Sequence, residues 1–376
     1  MKKIISIAIG TMLLFVLTGC KDPKQAKKEA DNSTVASQTL KCQTVLNPKA
    51  DEVTMLKDFT DTVTELTGGS LKFEILPKGT VVGGKETLDA IDKGLLDCGF
   101  AWTHYWGDHP ATMLFGSPVA GAGVGIDNIA FLSWFQYAGG KELYEQLWKE
   151  MGRDIKGFML QPAGPEALGW FPEKMESMAD FRKYKFRTPP GIPGQTYKDI
   201  GVASVAMGGG DILPALQAGT IDAAEWCCPK PDMVFGFQKV LKHYYLQGLH
   251  QVVVNADFYV NGKTYRSLSA HEKKSMEVAA NASLNKSLSY RIYENGKALK
   301  ELTEVHGVIL EDTPSDYFTE YMAAAKATLE RNSKENAFFK KVWDSQKAFA
   351  DIAVPFWSGA QMSNAKLGMA HAATLK

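Results

Sequence analysis

The amino-acid sequence predicts a two-domain α/β protein with long helices that span both domains and a helical C-terminus. Short apolar strands alternate with amphipathic helical stretches from Leu40 onward, a pattern typical of parallel sheets covered by helices. The pattern begins again near Ile155, which indicates a second unit. A helix from Ser269 to about Glu304 is long enough to reach across both units. The 376 residues, 45% of them hydrophobic, suffice for about two domains.

The first unit opens with a strand, a helix and a strand, and Gly68 and Gly69 are suited to end that helix. Its predicted elements are strands 40–46, 71–76 and 98–102 and helices 51–66 and 86–93. The second unit is predicted to contain strands 155–160, 184–188, 203–207 and 223–226. A strand at 251–259 and helices 269–304, 317–332 and 336–350 follow, and the tail to residue 376 is helical. These elements indicate domain I at 40–155 with about 229–285, domain II at 156–228 with about 286–345, and a C-terminal helical extension at 346–376.

The N-terminus is typical of a bacterial lipoprotein. Lys2 and Lys3 precede an apolar run, and Leu17-Thr18-Gly19-Cys20 has the layout of a lipobox, so residues 1–20 are predicted to be a signal that leaves Cys20 lipidated. The alternatives are a signal that ends in cysteine by chance or a membrane-spanning anchor, but a run of about 14 residues is short for crossing a bilayer. Residues 21–39 carry few large apolar side chains and are predicted to be a flexible tether. We therefore expect a membrane-anchored lipoprotein in the periplasm or on the extracytoplasmic face.

Charge and cysteine content limit the class of partner. Lys plus Arg and Asp plus Glu both number 42, so no basic excess indicates nucleic acid. Besides Cys20, the chain has Cys42, Cys98, Cys227 and Cys228, without the spacing of a zinc site. These four are interpreted either as buried thiols or as including a Cys42–Cys98 disulfide, if the strands that carry those two residues are neighbours.

Polar side chains follow several strands of the second unit, where open α/β sheets bind ligands. These residues are Gln161, Arg187, Glu225 and Trp226, and Met207 at the end of strand 203–207 is assigned to the same edge. A guanidinium matches a carboxylate with two parallel hydrogen bonds, although a single arginine could equally form a surface salt bridge. The glutamate and tryptophan fit either a ligand or cation site or an ion pair beside a core tryptophan.

Aromatic residues follow strand 98–102 of the first unit. Trp102, His104, Tyr105 and Trp106 could form the opposite wall of a cleft or fill the core between domains. A nucleotide site is not predicted, because the glycine run 208–210 lacks the Gly-x-Gly-x-x-Gly and Gly-Lys-Ser/Thr patterns and Asp211 follows it.

Three segments carry a family resemblance. They are Gly83-Gly84-Lys85-Glu86-Thr87-Leu88-Asp89-Ala90 with Gly94 and Asp97, Phe186-Arg187-Thr188-Pro189-Pro190-Gly191, and Leu216-Gln217-Ala218-Gly219-Thr220-Ile221-Asp222-Ala223-Ala224-Glu225-Trp226. On these segments the chain resembles the solute-binding subunits of tripartite ATP-independent periplasmic (TRAP) transporters, the DctP-type family, over nearly all of residues 40 to 350. Gln161 and Tyr244-Tyr245 resemble the branch that binds 2-oxo acids and related monocarboxylates.

The resemblance implies a hinged two-domain clamp and a role for each site residue. Arg187 would pair with the ligand carboxylate, while Gln161, Glu225 and the Trp226 main chain would hold a Ca²⁺ or Na⁺ that bridges to the ligand; no other cofactor is implied. Gln251 stands where that branch has a second acidic metal ligand, and an amide should bind a divalent cation more weakly than a carboxylate.

The predicted function is therefore that of an extracytoplasmic receptor, with no enzyme activity, that delivers a small organic acid to TRAP membrane subunits. The C-terminal helices are interpreted either as packing on the chain itself or as forming a homodimer with a second copy. The open alternatives are the same fold specific for a dicarboxylate, a sulfonate or an aromatic acid, a receptor that serves a sensor kinase, and a lipoprotein enzyme that uses Glu225 or His104 as acid and base.

Overall fold

The computed structural model describes residues 37–374 of the chain. The predicted signal peptide, the lipidation site at Cys20 and almost all of the predicted tether lie outside the described residues, and they stay predictions. No helix within the described part is long and apolar enough to cross a membrane.

The described residues form strands and helices in alternation. The strands are β1 (Gln38–Thr44), β2 (Leu71–Leu76), β3 (Cys98–Trp102), β4 (Ile155–Pro162), β5 (Gly169–Phe171), β6 (Lys185–Thr188), β7 (Ala203–Ala206), β8 (Ala223–Ala224), β9 (His243–Tyr245), β10 (Asn255–Asn261) and β11 (Ile309–Glu311). The helices are α1 (Asp51–Leu66), α2 (Thr87–Asp92), α3 (Thr112–Gly116), α4 (Asn128–Tyr137), α5 (Gly140–Glu150), α6 (Met178–Phe181), α7 (Ile192–Asp199), α8 (Gly209–Gln217), α9 (Pro229–Phe235), α10 (Gly262–Ser267), α11 (Ala270–Glu304), α12 (Ser315–Glu335) and α13 (Ala337–Ala373). The predicted α/β class is confirmed.

The first sheet has the strand order β2-β1-β3-β10-β4. Its strands β1, β2 and β3 run parallel, and β10 runs antiparallel to both of its neighbours. Cys42 of β1 lies opposite Cys98 of β3, and a disulfide joins the two residues, whose Cα atoms are 4.4 Å apart. The disulfide alternative for these two cysteines is therefore confirmed, whereas Cys227 and Cys228 are buried free thiols.

The second sheet has the strand order β11-β9-β5-β8-β6-β7. Strand β6 runs parallel to β7 and β8, while β5 runs antiparallel to β8 and β9. Because β6 and β8 are parallel neighbours, their carboxyl ends lie side by side, and these ends carry Arg187 and Glu225 to the same place.

Several strand predictions are wrong in their partners or limits. Both sheets are mixed, not parallel, and the strand predicted at 155–160 for the second unit is β4, an edge strand of the first sheet that pairs with β10. The strand predicted at 251–259 begins only at Asn255. Hydrophobic patterning indicates a strand but does not name its partner, and β5, β9 and β11 are each three residues long, too short to show a period.

Helix α11 crosses from one sheet to the other, as predicted. It begins with a capping box in which Ser269 and Glu272 bond each other's main-chain N–H groups, which satisfies two otherwise unpaired donors. At 35 residues it is about 52 Å long at 1.5 Å per residue. Its first half packs on α1 and β4 of the first sheet, and its second half packs on α9, with Leu302 buried in the core of the second sheet.

Helix α13 joins the predicted helix 336–350 and the predicted extension into one element. Its first turns are buried through Phe339, Val342 and Trp343, whose Nε1 donates to the main-chain oxygen of Ala122 at 2.8 Å. Beyond Ala350 the helix exposes large apolar side chains, each more than half accessible to solvent. These side chains are Ile352, Phe356, Met362, Leu367 and Met369.

Candidate ligand site between the two sheets

A small buried cavity lies where the two sheets meet. It measures about 30 Å³, room for two or so water molecules if one water needs about 10–15 Å³. Its walls come from the strand ends of both sheets and from the connections between the sheets. The lining residues are Glu52, Trp102, His104, Tyr105, Ala163, Glu166, Arg187, Pro189, Pro190, Trp226, Cys227, Gln251 and Val254. The structure therefore brings Arg187, Trp226, Trp102, Tyr105 and Gln251 of the predicted site to one cavity.

Arg187 is held rigidly at the edge of this cavity. It is only 2% exposed, its Nε and Nη2 donate to the main-chain oxygen of Met207 at 3.1 and 2.8 Å, and its Nη1 donates to the main-chain oxygen of Glu225 at 2.9 Å. Nη1 also forms an ion pair with the Glu225 carboxylate. Four of the five guanidinium N–H groups are thus bonded, and one on Nη2 is left for another acceptor. Met207 contributes its main chain to this arrangement and does not line the cavity.

Aromatic side chains from both sheets close the cavity. The Trp102 ring lies 5.1 Å from that of Tyr105 and 6.5 Å from that of Trp226, edge to face. The guanidinium of Arg187 lies 5.3 Å from the Trp226 ring centroid, within the range of a cation–π contact. Gly209 is needed opposite this ring, because a Cβ there would lie 2.5 Å from the indole. Of the predicted aromatic wall, Trp102, His104 and Tyr105 line the cavity with Trp226, whereas Trp106 packs on Tyr259 in the core.

Glu166, Glu225 and His250 form a buried group that sequence reasoning did not assemble. Each contributes a ligand-type atom, and these atoms lie within 4.8 Å of one another. The Nε2 of His250 is 3.5 Å from Oε2 of Glu225. Oε2 of Glu166, Oε2 of Glu225 and both ring nitrogens of His250 have no hydrogen-bond partner. Burial, with the nearby Glu225 carboxylate, raises the pKa of Glu166 well above its usual range.

The donor chemistry of this group fits a metal cation. Two buried carboxylates side by side need a positive charge or a proton between them, and carboxylate oxygens are the ligands that Ca²⁺ prefers. The unpartnered oxygens of Glu166 and Glu225 can supply that coordination. Glu225 belonged to the predicted metal site, whereas Glu166 and His250 were not part of it.

The two predicted amide ligands lie in different surroundings. Gln161 is fully buried, its Nε2 donates to the main-chain oxygen of Glu52 at 3.0 Å, and its Oε1 has no partner. It ends β4 of the first sheet, not a strand of the second, and does not line the cavity. Gln251 does line the cavity, and its Nε2 donates to the hydroxyl of Ser117 at 3.0 Å. Their roles as metal ligands, like that of the Trp226 main chain, stay predictions.

A second buried ion pair adjoins the cavity. Arg291, in the middle of α11, is 6% exposed and lies 3.1 Å from the carboxylate of Glu52 in the first turn of α1. Its Nη1 is also 3.8 Å from Sγ of Cys227 and 3.9 Å from Sγ of Cys228. This pair ties the long helix to the wall of the site, and sequence reasoning missed it because Arg291 lies among polar residues of a mainly polar helix.

Two further titratable groups near the cavity, His104 and Asp232, are buried. Burial lowers the pKa of His104 to about 3, so its imidazole is neutral at pH 7. Asp232 accepts hydrogen bonds from Trp170 at 2.9 Å, Tyr244 at 3.0 Å and the Cys227 main chain at 3.0 Å, although burial still raises its pKa to about 7. Asp232 thus fixes the main chain directly after Trp226.

The signals for the missed residues were present in part. Glu166 follows Gln161 within a turn rich in proline and glycine, Gln-Pro-Ala-Gly-Pro-Glu, which is a position that places a side chain beside a strand end. His250 directly precedes Gln251 in the connection from β9 to β10. Neither residue could be assigned to the cavity from the sequence, since both lie on connections between the two sheets.

Two sheets with a cavity between them, lined by a buried arginine and buried carboxyl groups, are typical of a protein that encloses a small solute. Residues 43–335 match the family of bacterial extracellular solute-binding proteins, family 7, also called DctP. The chain therefore belongs to this family, and the predicted solute-receptor class is confirmed.

Relatives of this family resemble the chain over most of its length. The monocarboxylate 2-oxoacid-binding periplasmic protein all3028 of Nostoc sp. is 28% identical over 294 residues, which cover 76% of this chain and 77% of that protein. The TRAP transporter solute-binding protein of Bordetella bronchiseptica, solved with calcium and picolinate, has a TM-score of 0.84 at 24% identity and covers 90% of this chain and 99% of its own. That of Colwellia psychrerythraea, solved with calcium and pyruvate, has a TM-score of 0.81 at 24% identity and covers 88% and 99%. These structures show that the fold is the one predicted.

Proposed function

We propose that this protein is the extracytoplasmic receptor of a TRAP transporter and binds a small organic monocarboxylate, of the 2-oxo acid type, in the cavity between the sheets. The observation that carries the proposal is Arg187, a buried and rigidly positioned guanidinium that lines the cavity with one N–H group unbonded. A carboxylate is the acceptor that matches such a donor. The curated relative from Nostoc, which is named for 2-oxo acid binding, supports this ligand class.

The size and walls of the cavity favour a small ligand. About 30 Å³ of space, bounded by the rings of Trp102, Tyr105 and Trp226, excludes a long dicarboxylate, and a small acid requires the least widening of the cavity. The apolar rings would contact the carbon end of the ligand, and Arg187 its carboxylate. Neutral His104 offers little as a proton donor at pH 7, and the Glu225 carboxylate is already paired with Arg187. Binding is therefore favoured over catalysis.

Because the cavity between the two sheets measures only about 30 Å³, we infer that a ligand enters when the sheets separate. We infer that the domains follow the two sheets, with β4 in the first domain and β9 in the second, and that residues 163–168 and 246–254 and helix α11 form the hinge. Ligand contacts with Arg187 on one side and Tyr105 on the other would then favour the closed state.

A cation is part of the proposed site. The Bordetella and Colwellia relatives were solved with calcium, and a Pseudoalteromonas atlantica relative, with a TM-score of 0.80 at 24% identity, was solved with sodium and pyruvate. We propose that Gln161 and Glu225, which each have an unpartnered side-chain oxygen, would hold such an ion together with the main chain of Trp226. When bound, the cation would supply a positive charge beside the ligand, while Arg187 orients the carboxylate.

The proposal also includes the membrane subunits, a lipid anchor and a second copy of the chain. The receptor would deliver its ligand to the TRAP membrane subunits, and the lipobox pattern supports an anchor at Cys20. The exposed apolar side chains of α13 after Ala350, such as Phe356 and Leu367, support a homodimer. Mass spectrometry of the mature N-terminus and light scattering of the purified protein measure the anchor and the dimer.

The test of the proposal is a thermal-shift panel of small acids, with and without calcium. We expect pyruvate or a close 2-oxo acid to raise the melting temperature, because a ligand that binds only the folded state stabilises it by RT ln(1 + [L]/Kd), about 2.7 kcal/mol at 100 times Kd. Calcium should enlarge the shift. Dicarboxylates, sulfonates and aromatic acids serve as competitors, and NMR of the recovered ligand checks that it is not converted. A panel without any shift would contradict the proposal.

A further inference from the structure

We propose that Glu166 supplies the second carboxylate of the cation site, in place of the acid expected at the position of Gln251, and makes the site selective for a divalent cation over sodium. The inference rests on the proposed function in so far as the cation is the one that bridges to the ligand. It assigns to Glu166 a role that neither the motif segments nor the family resemblance gave it.

The balance of buried charge is the first argument. Arg187 is paired with Glu225, and Arg291 with Glu52, so these four charges cancel. Glu166 is 5% exposed and forms no salt bridge with any Lys, Arg or His of residues 37–374. Glu166 must be ionised to bind a cation, and a carboxylate ligand would then add a second uncompensated negative charge to the same cavity. A divalent cation neutralises both charges, whereas sodium leaves one buried charge without a partner.

The geometry is the second argument. Oε2 of Glu166 and Oε2 of Glu225 are both unpartnered, and the two residues belong to a group whose ligand-type atoms lie within 4.8 Å of one another. His250, the third member, is fully buried, and neither of its ring nitrogens has a hydrogen-bond partner. Because unpaired buried polar atoms are costly, three such side chains with ligand-type atoms within 4.8 Å of one another are suited to share a bound cation.

The position of Gln251 explains how residue 166 can supply the carboxylate that the family pattern has at residue 251. The main-chain N–H of Glu166 donates to the main-chain oxygen of Gln251 at 3.0 Å, so the two residues are direct neighbours on facing connections. The side chain of Gln251 is committed to Ser117 through its Nε2. A carboxylate at residue 166 therefore stands beside the place where the family pattern has its acid at residue 251.

The number of charged ligands tunes calcium affinity, which gives a measurable expectation. We expect calorimetric titration of calcium into the chelator-treated protein, without any acid, to show at least tenfold weaker binding for Glu166→Gln than for the unaltered protein. Binding of sodium, measured by the shift in melting temperature, should change less than threefold. Glu173→Gln, an exposed glutamate outside the cavity, is the matched control and should bind calcium as the unaltered protein does.

A rescue variant separates a lost ligand from a disturbed fold. The double variant Glu166→Gln with Gln251→Glu restores one carboxylate at the neighbouring position and should recover most of the calcium affinity. Equal calcium affinity of Glu166→Gln and the unaltered protein, or no calcium binding by the unaltered protein, would overturn the inference. The thermal-shift panel of organic acids tests the proposed function separately, because the calcium titrations contain no acid.

Discussion

Replacement of Arg187 by alanine is expected to lower the affinity for the 2-oxo acid at least tenfold in isothermal titration calorimetry at saturating calcium. Loss of a charged hydrogen bond in a buried site costs about 1.5–3 kcal/mol, and each 1.4 kcal/mol is a factor of ten in affinity. The guanidinium is also held by the Met207 and Glu225 main chains, so it is positioned before a ligand binds. Arg187→Lys keeps the charge but loses the planar fork, and we expect an intermediate affinity.

The control for this variant is Arg266→Ala. Arg266 is bonded to Asp154 at 2.7 Å, but its side chain is 64% exposed and is not among the lining residues of the cavity. Its removal should leave the affinity for the acid unchanged. An unaltered affinity in Arg187→Ala, with the protein folded by circular dichroism, would remove Arg187 from the site.

Replacement of Arg291 by methionine is expected to lower the free energy of unfolding by about 3–5 kcal/mol in urea denaturation. The reason is that Glu52, 3.1 Å away and similarly buried, would keep its charge without a partner. The double variant Arg291→Met with Glu52→Gln removes both charges and should recover a large part of that loss. A double-mutant cycle thus separates the pair from the general packing of α11.

An exposed ion pair between the same two helices, α1 and α11, is the comparison for the buried pair. Lys286 of α11 lies 2.9 Å from Asp58 of α1, but both side chains are at least half exposed. Solvent screens such a pair, so Lys286→Ala should cost less than about 1 kcal/mol. If Arg291→Met costs no more than Lys286→Ala, the buried pair does not hold α11 against the first sheet.

Local pattern predicted most elements of the fold, but it could not predict the sheet partners. The helices 51–66 and 269–304 were found within a residue or two, because their caps and amphipathic periods are local properties of the chain. The position of β4 in the first sheet depends on β10, which lies about a hundred residues later. No periodicity within β4 contains that information.

The same distinction holds for the candidate site. Arg187, Glu225 and the aromatic residues after β3 could be predicted because they stand at strand ends, where parallel sheets present side chains to ligands. Glu166 and His250 lie on connections between the sheets, and their meeting depends on how the two sheets face each other. The sequence therefore predicted the positions of Arg187 and the aromatic residues better than those of Glu166 and His250.

The position of the disulfide bears on how the chain acquires its correct covalent connectivity. Besides Cys20, four cysteines would permit three fully paired arrangements, yet within residues 37–374 Cys42 and Cys98 are joined, while Cys227, which lines the cavity, and its neighbour Cys228 remain thiols. The joined residues precede the thiols in the chain, and the strands that carry them, β1 and β3, are direct neighbours. The Cys42–Cys98 bond can thus form before the later thiols emerge, and the burial of those thiols then shields them from exchange. The order of the cysteines along the chain thus helps Cys227 and Cys228 to stay reduced in a compartment where exposed thiols are oxidised.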